Sequence, residues 1–118
     1  MNIQIFGTKK SSDARKAERW FKERRIKYQY IDLNEKGISR GELRGAAQAS
    51  GGLEALLDPD CRDRDALALA THIAPAQRED VVLEHPQVLR QPIVRNGRRA
   101  AVGYRPDVYA AWMAEEKG

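Results

Sequence analysis

The chain has 118 residues, 42% hydrophobic and 32% charged, with 21 Lys+Arg against 17 Asp+Glu and a formal net charge of +4. That balance fits one folded globular domain and excludes an intrinsically disordered chain, which has fewer apolar residues and a larger net charge. No apolar run approaches the roughly 20 residues that a bilayer span needs, and the single cysteine, Cys61, excludes an intramolecular disulfide or a CxxC pair.

In chain order, Asn2 to Phe6 reads as a strand, with Ile3 and Ile5 on one face. These residues are too few and too alternating for the apolar core of a signal peptide, and together with the lone thiol this sets the expectation of a cytoplasmic protein. Gly7 to Lys10 reads as a turn. Ser11 to Arg25 reads as a helix in which Ala14, Ala17, Trp20 and Phe21 follow one buried stripe, and Ser11, Ser12 and Asp13 are all suited to its N-cap. Lys27 to Leu33 forms a second strand, and Gly37 lies in the turn after it.

Ser39-Arg40-Gly41-Glu42 is a capping box that opens a helix to about Ala49. Gly51-Gly52 ends it, Leu53 to Leu57 makes one short helical turn, and Asp58-Pro59-Asp60 is a second break. Asp65 to His72 is an Ala-rich helix, and Pro75 starts another that runs to about Glu84. Ile93-Val94 and Ala100 to Val102 are strands joined by an Asn96-Gly97 hairpin turn. Pro106 starts a closing helix through about Ala114, with Val108, Tyr109, Trp112 and Met113 on its apolar side. The opening β-α-β implies a parallel pair with a right-handed crossover, and the hairpin adds an antiparallel pair. The pattern is therefore α/β: a four-stranded mixed sheet with helices packed on it, matching a thioredoxin-like arrangement with a helical insertion.

Three places hold candidate chemistry. The loop from Gly7 to Asp13 joins a strand to a helix N-terminus, where free N–H groups and the helix dipole favour an anion; the hydroxyls of Ser11 and Ser12 and the charges of Lys9 and Lys10 add to it. The same residues also read as an ordinary capped helix start, and the loop lacks the second glycine of a P-loop. Gln91-Pro92 leads into a strand, where a cis bond exposes backbone groups to a ligand. Cys61 lies among both arginines and aspartates, which act on its thiol in opposite directions, and reads as inert. His72 and His85 have no cysteine or carboxylate at ligand spacing, so no metal site is expected. Nine basic residues fall within residues 9–27; they read either as a solvated helix face or as a surface for an acidic partner. They lack the interleaved aromatics of a base-stacking platform, which argues against direct nucleic-acid binding.

The ordered set Ile5-Phe6-Gly7-Thr8-Lys9-Lys10-Ser11, Arg15-Lys16-Ala17, Trp20-Phe21, Ile31-Asp32-Leu33, Ser39 to Leu43, Leu53 to Asp58, Glu84-His85-Pro86, Pro92-Ile93-Val94, Asn96-Gly97 and Val102-Gly103-Tyr104 resembles the arsenate reductase family, with its ArsC and Spx branches. The resemblance covers nearly the whole chain. It implies a thioredoxin-like (glutaredoxin-like) fold in one domain over residues 1–118, with 1–33 and 88–118 as the thioredoxin-like part and 34–87 as a mainly helical insertion. It also implies glutathione or thioredoxin as redox partner with no bound cofactor, an oxyanion or glutathione-like ligand, and, from the Spx branch, RNA polymerase as a protein partner.

Catalytic members of that family carry a nucleophilic cysteine at the position of Ser11, and CxxC members would need cysteines at positions 11 and 14, where this chain has Ser11 and Ala14. Of the three arginines that surround the family's oxyanion, the first two match Asp58 and Gln91, and the third matches Arg105. The resemblance thus implies an anion site at Lys9, Lys10, Ser11, Ser12, Asp13, Gln91, Pro92 and Arg105 with a degenerate redox centre. A serine hydroxyl stays protonated without an adjacent base and cannot form the mixed disulfide that completes turnover. The expected role is non-catalytic or regulatory. The alternatives are a thiol-dependent reductase that uses Cys61, or a cysteine naturally present at position 11, and an Spx-like regulator.

Overall fold

The computed structural model describes residues 1–117, and the side chains through Glu116. The element order is β1 (Ile3–Gly7), α1 (Ser12–Glu23), β2 (Tyr28–Asp32), α2 (Arg40–Ser50), α3 (Arg64–His72), α4 (Pro75–Glu84), β3 (Ile93–Asn96), β4 (Arg99–Val102) and α5 (Pro106–Lys117), with short 3-10 turns at Leu53–Leu56 and Pro86–Val88. The sheet order is β2-β1-β3-β4. β1 runs parallel to β2 and antiparallel to β3, and β3 pairs antiparallel with β4.

Alternation along the strands sorts the core into two layers. Ile3, Ile5, Val94 and Ala101 pack with Ala17, Trp20 and Phe21 of α1 and with Tyr109 and Trp112 of α5. Phe6, Ile31 and Ile93 point the other way, into Leu43 and Ala46 of α2, Ala66, Leu67 and Ala70 of α3, and Val81 and Val82 of α4. The first layer is aromatic. Trp20 meets Phe21 and Tyr109 edge-on with ring centroids 5.0 and 5.5 Å apart, contacts worth about 0.5–1.5 kcal/mol each beyond burial.

The element boundaries show where local chemistry overrides pattern. Gly7 is not in the turn: it pairs with Asp32 as the last residue of β1. α1 stops at Glu23 rather than Arg25, because Arg25 takes φ +57 and the Ile26 N–H returns to the Phe21 carbonyl at 3.0 Å, which closes the helix end. Ser39 caps α2 reciprocally: its hydroxyl accepts the Glu42 N–H at 3.1 Å, and the Glu42 carboxylate accepts the Ser39 N–H at 2.9 Å. The hairpin turn is one residue later than expected. Asn96 stays in the ladder, paired with Arg99 and Ile3, so the loop residues are Gly97, at φ +62, and Arg98.

Candidate functional site

The loop between β1 and α1 forms one wall of a cleft of about 670 Å³ at the carboxyl ends of the parallel strands β1 and β2, the place where open α/β sheets commonly receive ligands. Gly7 sets its geometry. A Cβ at this position would lie 2.7 Å from the Ala14 Cβ, so only glycine lets the strand end pass this close to the helix. The loop then tightens through the Ser11 N–H, which donates to the Thr8 carbonyl at 3.1 Å. Ser11 is the N-cap of α1, its Oγ accepting the Ala14 N–H at 3.1 Å.

The opposite wall comes from two segments that run antiparallel and meet at a bridge between Leu57 and Leu89. The Asp58 N–H donates to the Val88 carbonyl at 2.8 Å, and the Arg90 N–H to the Leu56 carbonyl at 2.7 Å. Asp58, Leu89 and Gln91 line the cleft, whereas Leu57 and Arg90 line a different hollow. The Gln91–Pro92 bond is cis. Gln91 reaches the loop itself: its Oε1 accepts both the Thr8 N–H at 2.8 Å and the Thr8 hydroxyl at 3.0 Å.

Of the residues singled out in the sequence, Lys10, Ser11, Ser12, Asp13 and Gln91 line this cleft together. Lys9 is exposed and does not line it, and Pro92 is fully buried. Arg105 does not line this cleft. Its guanidinium forks onto Asp107 at 3.1 and 3.3 Å and borders a hollow with Ala49, Ser50 and Val102. The carboxylate two residues on supplies the partner that an oxyanion would otherwise supply.

Cys61 does line the cleft, yet it is buried at 6% exposure, and its Sγ donates to the Gln87 carbonyl at 3.3 Å. Asn34, Asp60, Arg62, Asp63 and Gln87 complete the walls. Sequence reasoning had not placed them there; for Asn34 the available signal was its position directly after a parallel strand. The Asp63 carboxyl is held below the usual carboxylate range by the Gln87 amide and by the Ala66 N–H that it caps. The lining thus sets four carboxylates, Asp13, Asp58, Asp60 and Asp63, against two cations, Lys10 and Arg62. Neither His72 nor His85 lines the cleft. Among the described residues no cluster of three His, Cys, Asp or Glu side chains is arranged to hold a metal ion, and no helix is long and apolar enough to cross a membrane.

The β2-β1-β3-β4 sheet between two helical layers, with a helix N-terminus aimed into a cleft at its edge, is of the thioredoxin-like class. Within that class the model of the ArsC family matches residues 6–112, and the chain belongs to that family. It is similar to the global transcriptional regulator Spx 2 of Oceanobacillus iheyensis, 28% identical over 109 residues, covering 91% of this chain and 80% of that protein. Among solved structures it superposes on the YffB protein with a TM-score of 0.70 at 25% identity, covering 93% of this chain and 97% of that one. It also superposes on the arsenate reductase from Vibrio cholerae with a TM-score of 0.79 at 23% identity, covering 94% and 97%.

Proposed function

We propose that this chain is a binding module built on the ArsC scaffold, with its thiol site closed, rather than a reductase that turns over. One observation carries the reading: at the position of the family's nucleophilic cysteine, the Ser11 oxygen serves as the N-cap of α1. A thiol there would ionise readily under the helix dipole, whereas a serine hydroxyl needs a base, and no histidine lines the cleft.

The oxyanion side of the site is altered in the same sense. Where the family has arginines, Asp58 presents a carboxylate and Gln91 presents a carbonyl oxygen that already occupies the Thr8 N–H. Glutathione or thioredoxin, the redox partners that the family resemblance implies, meet no thiol at position 11. The test is intact mass after incubation with glutathione disulfide. An unmodified native chain supports the reading, and a glutathione adduct on Cys61 favours the thiol-enzyme alternative.

The relative named as a transcriptional regulator favours a protein partner, and the charge distribution supports this. Residues 9–27 carry nine basic and three acidic side chains, so the chain's net positive charge lies entirely there and the remainder is net negative. Arg15, Arg19 and Lys22 form one exposed ridge of α1, spaced so that like charges repel along the helix. We read this ridge as the docking face for an acidic surface, with RNA polymerase the partner suggested by the Spx branch and the cytoplasm the compartment. We likewise read residues 34–87 as an insertion into a thioredoxin-like part made of 1–33 and 88–118. Co-purification with RNA polymerase that weakens as salt rises, and that is lost in the R15A/R19A/K22A triple variant, is the expected result.

A further inference from the structure

On the far side of the Leu57–Leu89 bridge lies a second hollow of about 560 Å³, lined by Leu57, Pro59, Leu67 and Ala68 and by the side chains of Arg64, Arg78 and Arg90. Its volume falls in the range of small-ligand sites, roughly 300–1,000 Å³. The three guanidinium groups are held by backbone carbonyls. Arg90 Nε donates to the Leu57 carbonyl at 3.0 Å, Arg64 Nη1 to the Pro59 and Cys61 carbonyls at 2.9 and 3.1 Å, and Arg78 Nε to the Ala70 carbonyl at 2.7 Å.

Their charges are not balanced. Among the described residues Glu54 is the only carboxylate in the lining, and it is taken by Arg78 at 2.7 Å. Among the described residues neither Arg64 nor Arg90 has an ion-pair partner. Arg64 is moreover the first residue of α3, where the helix dipole disfavours a cation and favours an anion. Arg90 stands one position before the place where the family motif puts its arginine, and that shift turns its side chain from the Ser11 cleft to this hollow. Fixed guanidiniums with unused Nη donors, above an apolar floor, match a planar anion on an apolar body.

We propose that this hollow binds a small organic carboxylate, its headgroup between Arg64 and Arg90 and its hydrocarbon part on Leu57, Leu67 and Ala68. The site is separate from the Ser11 cleft and stands or falls independently of the binding-module reading. The probe is octanoate, titrated into the full chain at low salt and followed through backbone amide resonances, with octanol and inorganic phosphate as comparison ligands. The expected result is saturable shifts at Leu67, Ala68 and Arg90, with octanoate at least tenfold tighter than either comparison ligand. Arg64→Gln and Arg90→Gln, both at exposed positions that leave the core intact, should each weaken octanoate at least fivefold, while Arg98→Gln should leave it unchanged. The proposal is overturned by absence of saturation, by shifts confined to the Ser11 cleft, by equal affinity for octanoate and phosphate or octanol, or by indifference to both arginine substitutions.

Discussion

The side-chain oxygen of Gln91 accepts two hydrogen bonds from one residue, the N–H and the hydroxyl of Thr8, at 2.8 and 3.0 Å. It joins the β1–α1 loop to the segment before β3, across 83 positions of sequence, and fills donors that an anion in this cleft would need. Thr8 is buried at 8% exposure, so removing the acceptor leaves two poorly hydrated donors. Gln91→Ala is therefore expected to lower stability by about 1–3 kcal/mol, read as a shift of the urea midpoint at unchanged slope.

Ser11 is expected to matter for folding rather than for turnover. Ser11→Ala removes the acceptor for the Ala14 N–H and should cost about 1 kcal/mol, whereas Ser11→Asp keeps a capping oxygen and should stay within a few tenths of the wild type. Thermal melts of the three proteins check this.

Restoring the family's chemistry should take more than a thiol. Ser11→Cys alone should give a cysteine whose alkylation midpoint lies at least about one pH unit below the ordinary 8.5, because it sits at a helix N-terminus. Arsenate binding should appear only when Asp58→Arg and Gln91→Arg are added, since the single variant keeps the Asp58 carboxylate and the blocked Thr8 N–H. Alkylation rate against pH, and isothermal titration with arsenate, separate the two steps.

Stability should fall in alkali through Tyr109, which is fully buried between α1 and the sheet and donates to the Gly103 carbonyl at 3.1 Å. Burial pushes its phenol up to about 12. Below pH 10 both folded and unfolded chains hold the proton, so stability is independent of this group. Between about pH 10 and 12 only the unfolded chain loses it, and stability falls by as much as about 3 kcal/mol. Denaturant midpoints from pH 9 to 12 should show this slope, and it should be flattened in Tyr109→Phe.

Much of this fold is legible in the sequence because its signals are local. The stripe Ala14, Ala17, Trp20, Phe21, the Ser39–Glu42 capping box and the prolines that open α4 and α5 each specify their helix within a few residues. Pairing of β1 with β3 is not local: Ile3 meets Asn96, and no spacing rule connects them. The cleft walls that only tertiary structure assembles, such as Arg62 and Gln87, were hidden for the same reason, and Asp58 and Gln91 were expected there only through the family resemblance. Asp58 and Gln91 face Ser11 only because the Leu57–Leu89 bridge aligns two irregular segments. The pairing of Arg105 with Asp107 was not legible either, because a proline after the hairpin says nothing about which carboxylate the guanidinium meets.

The most direct test of the closed thiol site is turnover of arsenate and of a small disulfide, with electrons from glutathione and glutaredoxin or from thioredoxin, in the native chain and in Cys61→Ser. The account predicts rates at background for both proteins. Turnover by the native chain that disappears in Cys61→Ser would contradict it and make the buried Cys61 the redox centre.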